Sequence, residues 1–137
     1  MSNTDEIRWQ QRHDSLGLAL AHLTEACQLE ELDDVYRSGL IKAFEICFKL
    51  SWKVLKDLLF FEGHNEKSPR SIFRKSFEVE YISESECEVL LNALDKRNLM
   101  SQRYRKERAI EAESLIRDVY YPVFVRVFES LGTRRTI

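Results

Sequence analysis

The stretch from Val35 to Glu62 constrains this chain more than any other. At 100° per residue, Ile41, Phe44, Phe48, Trp52, Leu55 and Leu59 fall on one face of a helix. Ala43, Ile46, Leu50, Val54 and Phe61 fall on the opposite face. Between the two, Lys42, Lys49, Lys53 and Lys56 crowd into an arc of about 60°. A helix that is apolar on two sides must be covered on two sides. It is either the central helix of a bundle or lends one face to a second copy of the chain. Gly63 follows it and suits a left-handed C-terminal cap.

The flanking segments share this helical periodicity. From Asp5 to about Glu31, the residues Trp9, His13, Leu16, Leu20, Leu23 and Cys27 recur at spacings of three and four. The acidic run Glu30 to Asp34 reads as a connection. Ser68-Pro69 gives an N-cap with proline at the first helical position, which predicts a short helix to about Glu80. Ser83-Glu84-Ser85-Glu86 is a capping box. It predicts a helix ending near Asn98, with Cys87, Leu90, Leu91 and Leu94 facing the core. Leu99 to Tyr104 reads as a break. The last helix runs from about Lys106 to Leu131, and Pro122 should bend it near Asp118. With four glycines and two prolines in 137 residues, long helices are favoured over many short strands. The expectation is an all-α fold, an antiparallel four-helix up-and-down bundle with one extra short helix. It forms one domain over 1–137, with its core at about 5–131 and a frayed tail at 132–137.

The net charge of −2 excludes a chain that binds nucleic acid through its overall field. No apolar run approaches the ~20 residues of a membrane span. Met1 to Arg12 lacks the apolar stretch of a secretory signal. Cys27, Cys47 and Cys87 are scattered, odd in number and distant from any His in a ligand pattern. They read as reduced thiols in a cytoplasmic protein. No P-loop, GxSxG, HExxH or dinucleotide fingerprint is present, and no cofactor or metal is expected.

The strongest polar feature is Asp95 to Tyr104. From Lys96 to Arg108 there are six basic residues against one acidic residue. Guanidinium groups fork onto phosphate oxygens, and a tyrosine can stack on a base, so this turn suits a nucleotide or an RNA phosphate. The alternative is a set of cations that favour a helix C-terminus and face water. Glu45 lies inside the face of Ile41, Phe48 and Trp52. A carboxylate there needs a partner, such as Arg97 or Tyr104, or it reaches water at the helix edge. The lysine strip is a solvated face or a docking surface for an acidic or phosphate-bearing partner.

Arg8-Trp9-Gln10-Gln11-Arg12, Gly39 to Glu45 leading into Leu50 to Asp57, Ser68-Pro69-Arg70, and Arg97-Asn98-Leu99 with Tyr104 are similar to the nucleotidyltransferase substrate-binding protein family, helical bundles of the HEPN superfamily. The resemblance spans about Ile7 to Leu131. It implies a non-catalytic chain that binds substrate or nucleotide beside a separate minimal nucleotidyltransferase, as a homodimer and within a toxin–antitoxin type of pair. It implies a pocket of Arg97, Asn98 and Tyr104, with Glu45 and Asp95 orienting the arginine and with Trp52 and Lys53 in the binding set. Tyr104 is the residue such a partner would modify with AMP. Related HEPN proteins are metal-independent ribonucleases, and Arg97 would be the catalytic residue here. Their motif histidine is replaced by Gln102, which cannot exchange a proton near neutral pH. A purely structural homodimer is the third reading.

Overall fold

The structure, a computed structural model, describes residues 3–30, 33–102 and 105–135, with the backbone alone for Asn3, Asn98 and Leu99. Its described residues form a helical bundle without strands. The elements are α1 (Asn3–Cys27), α2 (Asp34–Phe61), α3 (Pro69–Glu78), α4 (Glu84–Asp95), α5 (Arg97–Ser101), α6 (Lys106–Leu115), a π-helical turn (Ile116–Tyr120) and α7 (Tyr121–Gly132).

Helix α2 is central and touches α1, α3, α6 and α7. Its two-sided pattern follows from that position. Leu40, Ile41, Phe44, Cys47, Val54, Leu55, Leu58 and Leu59 are buried. On the second apolar face, Ala43, Leu50 and Phe61 are half-buried, and Ile46 remains 43% exposed. The Asp33 carboxylate caps the start of α2 by accepting from the Tyr36 N–H at 3.0 Å. At its end the His64 N–H donates to the Leu59 carbonyl at 2.7 Å, and Gly63 N–H donates to Phe60 at 3.1 Å. This is a Schellman motif, and Gly63 holds φ +96° in it as its sequence position suggests.

Helix α1 buries Trp9, His13, Leu16, Leu20 and Leu23 against α2 and α7. His13 meets the Phe128 carbonyl and Thr24 meets the Tyr121 hydroxyl, so α1 and α7 run in opposite directions. At Gly17 the helices come so close that an added Cβ would lie 3.0 Å from the Phe128 ring. Arg117 in the π-helical turn donates to the carbonyls of Cys27 and Leu29, which satisfies the C-terminal end of α1. The π-helical turn sits just before Pro122. Proline has no N–H, and its ring would strike the carbonyl of Asp118, so the turn widens. The bend expected near Asp118 takes this form.

Two expectations need correction. Helix α4 ends at Asp95, and the short helix α5 begins at Arg97, before the expected break, and takes up that segment's first three residues, with Met100 buried. The tail expected to fray from residue 132 is docked as far as Arg135. Arg134 lies 4.7 Å from the centre of the Tyr81 ring. Arg135 pairs with Asp14 and donates to His13 Nδ1 at 3.2 Å. These partners come from distant segments, which is why a polar tail looked loose. Thr136 and Ile137 lie outside the described residues.

The capping signals of α3 and α4 are formed. Ser68 accepts from the Ser71 N–H, and Ser83 and Glu86 exchange bonds at 3.1 and 2.8 Å. Between these helices Glu80 takes φ +68°, the left-handed position that ends α3.

Candidate functional site

The candidate site is a cleft of about 420 Å³ between α2, α4 and α5. Residues spaced three and four apart on a helix stand one above another. Glu45, Phe48, Lys49 and Trp52 therefore form one wall from α2. Helix α4 brings Ala93, and α5 brings Arg97, Met100 and Ser101. The floor is apolar. Phe44 is 2% exposed, and its ring stacks on Tyr120 at 5.3 Å and on Phe124 at 5.7 Å. Tyr120 comes from the π-helical turn, and its hydroxyl donates to Asn92 Oδ1 at 2.7 Å. The widened turn thus sets the ring that supports the floor. Burial pushes the Tyr120 hydroxyl up to about 12, so it stays a neutral donor.

The rim carries charge of both signs, Arg97 and Lys49 with Glu45. An apolar floor with aromatic walls and a few placed charges is the usual form of a small-ligand site. Here the rings of Phe48 and Trp52 offer stacking surface, and the two cations offer phosphate contacts.

The structure brings three of the expected residues together in this cleft: Glu45, Trp52 and Arg97. Others stand elsewhere. Asp95 lies outside the cleft lining, and its carboxylate accepts from Arg70 Nη2 of α3 at 2.6 Å. Lys53 lies outside the cleft lining, with its ammonium 5.9 Å from the centre of the Trp52 ring. Partial burial, then the charges of Lys49 and Arg12, hold the Lys53 ammonium below its ordinary pKa. Asn98 has its backbone in α5, and its side chain lies outside the described atoms. Tyr104 lies outside the described residues.

Lys49 is the cation that sequence reasoning passed over in favour of Lys53. At 100° per residue Lys49 lies 40° and Lys53 80° around the helix from Glu45, so the helical wheel alone separates the two lysines little. Phe48, Ser101 and Met100 were likewise not singled out as lining residues.

His13 does not serve this cleft. It is buried against α7, with Phe128 stacked on it at 4.3 Å and its Nε2 2.9 Å from the Phe128 carbonyl. The ring must donate from Nε2, leaving Nδ1 to accept from Arg135. Burial first, and the Arg135 charge second among the lowering causes, keep its pKa below the ordinary value. The buried thiols of Cys47 and Cys87 are unpaired as disulfides, and burial pushes Cys47 up to about 12. Among the described residues no three His, Cys, Asp or Glu side chains gather as a metal site. No described helix is long and apolar enough to cross a membrane.

A protein of Thermus thermophilus, known from its crystal structure, has a similar fold, with TM-score 0.75 and 28% sequence identity. The match covers 89% of this chain and 99% of that one. No curated protein matches the sequence. The family model for nucleotidyltransferase substrate binding protein like chains matches residues 11–133. That span takes in every helix from the body of α1 to α7, and this chain belongs to that family.

Proposed function

We propose that this chain binds substrate for a separate minimal nucleotidyltransferase and leaves the transfer chemistry to that partner. The convergence of Glu45, Lys49, Trp52 and Arg97 over an apolar floor carries the reading. Trp52 and Phe48 would stack on a base, Arg97 and Lys49 would hold its phosphate, and Glu45 would orient the arginine. Tyr104 would be the acceptor of AMP in a toxin–antitoxin type of pair. Its phenolic oxygen would take the nucleotide phosphorus, with pyrophosphate leaving from ATP. The family description supports the partnership. The pair is expected in the cytoplasm, with this chain a homodimer of the HEPN type. The exposed Val35, Tyr36 and Ile46 of α2 are available for that contact.

Co-expression with the neighbouring open reading frame, which the proposal expects to encode a small nucleotidyltransferase, tests it. Size-exclusion chromatography should show one complex. Intact mass after incubation with ATP should show additions of AMP that disappear in Tyr104→Phe. Failure to associate, together with metal-independent RNA cleavage that depends on Arg97, would replace this reading with the ribonuclease.

A further inference from the structure

The C-terminal segment is held to the bundle by two arginine side chains. After Gly132 the backbone forms short turn bonds, from the Arg134 N–H to Leu131 at 3.0 Å and from the Arg135 N–H to Gly132 at 3.3 Å. These tie the segment to α7 and not to its neighbours. Arg134 lies 4.7 Å from the centre of the buried Tyr81 ring and donates to the Glu80 carbonyl at 3.4 Å. It forms one wall of a cleft of about 330 Å³, whose other walls are Glu6 and Trp9 of α1 and Leu58, Phe61 and Glu62 at the end of α2. Arg135 pairs with Asp14 and donates to His13 Nδ1 at 3.2 Å. Asp14 is 63% exposed, and an ion pair that open to water holds little by itself. The bond to the buried His13 therefore carries much of the grip.

His13 can take a second proton only at the expense of Arg135. Its Nε2 lies 2.9 Å from the Phe128 carbonyl, which is an acceptor, so the single N–H of the neutral ring sits on Nε2. Nδ1 is left as the acceptor for a guanidinium that has donors alone. Protonation would set an N–H on Nδ1 against Arg135 Nη1, two donors and two positive charges 3.2 Å apart. The neighbours hold the ring in place. Phe128 stacks on it at 4.3 Å, Trp9 packs against it edge-on at 6.2 Å, and a Cβ at Gly132 would lie 3.6 Å from its Cε1. Asp14 of α1 and Arg135 after α7 are the charged groups that act on the ring among the described residues. Asp14 favours the imidazolium, so the carboxylate that steadies Arg135 in the neutral state is drawn to His13 in the charged one.

We infer that residues 133–135 are a proton-released latch: neutral His13 holds them closed over the cleft at Trp9 and Phe61, and protonated His13 lets them go. Release removes the Arg134 wall of that cleft and uncovers the Tyr81 ring, so the surface where the start of α1 meets the end of α2 differs between the two states. The direction follows from the charges. Burial, the largest influence, lowers the His13 pKa, and Arg135 lowers it further while it is docked; the Phe128 carbonyl and Asp14 oppose them. The released state thus takes the proton first as pH falls. The latch is closed above the released-state pKa and opens as pH drops to the docked-state value. The effect is reciprocal: the factor by which docking weakens proton binding is the factor by which the proton weakens docking. The latch does not depend on what binds in the candidate cleft.

Nuclear magnetic resonance of the full chain tests it from about pH 8 to about pH 5, the range in which a histidine titrates. Imidazole nitrogen shifts give the His13 tautomer and pKa, and the heteronuclear NOE of the backbone amides gives order on the ps–ns scale. The expected result is a neutral ring protonated at Nε2. The NOE of Arg134 and Arg135 should fall along the His13 titration curve while Val123 to Leu131 stay rigid. Arg135→Ala should raise the His13 pKa by about 1, the counterpart of docking about tenfold weaker in the protonated state. In His13→Gln the tail should keep one level of order across the range. A tail that stays rigid while His13 titrates, or an Arg135→Ala variant with the His13 pKa unchanged, would refute the latch. Loss of order in α7 together with the tail would also overturn it, because protonation would then loosen the bundle rather than open a closure. If His13→Gln fails to fold, the His13 pKa in Arg135→Ala still decides between the two.

Discussion

Phe44 is where the fold and the candidate site meet, and Phe44→Leu perturbs both. The side chain stays apolar, but the ring is lost from under the cleft. That ring stacks on Phe48 at 5.9 Å, on Tyr120 at 5.3 Å and on Phe124 at 5.7 Å. Each aromatic pair is worth about 0.5–1.5 kcal/mol beyond its buried area. The three contacts share one ring and do not add in full. A residual gap of about 20 Å³ adds about 0.5 kcal/mol at 24 cal/mol per Å³. The sum is about 2 kcal/mol, which lowers Tm by roughly 7 °C in a chain of this length. Urea unfolding followed by the fluorescence of Trp9 and Trp52 measures it. Phe48→Leu is the control: Phe48 is only half-buried, on the cleft wall, and the change should cost about 1 kcal/mol or less. A loss of under about 0.5 kcal/mol for Phe44→Leu would refute the claim that this stack supports the floor.

Three further outcomes follow from the packing. Glu80→Gly should raise stability by about 0.5–1 kcal/mol, because it removes left-handed strain while Arg134 still donates to the residue-80 carbonyl. A fall in the urea midpoint would contradict that. Gly17→Ala should lower stability by about 1–2 kcal/mol despite the gain in helix propensity, because Phe128 is clamped against His13 and cannot move aside. His13 should make stability depend on pH in a defined direction. Its folded pKa is lowered, so stability is full above about 6.5 and falls as pH drops from there towards the folded value, where the unfolded chain takes the proton first. Comparison of Tm across this window with His13→Gln, which can keep the bond to the Phe128 carbonyl, should show a flatter profile in the variant.

What the sequence showed clearly was local. The Schellman end at Gly63, the cap at Ser68-Pro69 and the capping box at Ser83 each depend on residues within one turn, and each formed. The two-faced pattern of α2 left two arrangements, a central helix or one face lent to a second copy, and the structure shows the central one. What was hidden depends on distant partners. Helix α5 is five residues long with no cap signal, and Met100 is ordered by burial beneath it. Glu80 occupies a position that glycine usually marks, so nothing in the local sequence announces it. At the candidate site, Glu45 and Trp52 were legible as one face of α2, and Arg97 as part of a basic segment. The choice of Lys49 over Lys53, and of Arg70 as the partner of Asp95, required the relative placement of α2, α3 and α4.

The central claim is that Glu45, Lys49, Trp52 and Arg97 form a binding cleft for a nucleotide. Titration of ATP against the intrinsic tryptophan fluorescence tests it most directly, because Trp52 lines the cleft while Trp9 is buried at the far end of α2. The account predicts a saturable change in signal that vanishes in Trp52→Phe, and an affinity at least about tenfold weaker in Arg97→Ala, as expected for loss of a charged hydrogen bond. Equal ATP affinity in the wild type and Arg97→Ala, with no change in the Trp52 signal, would contradict it.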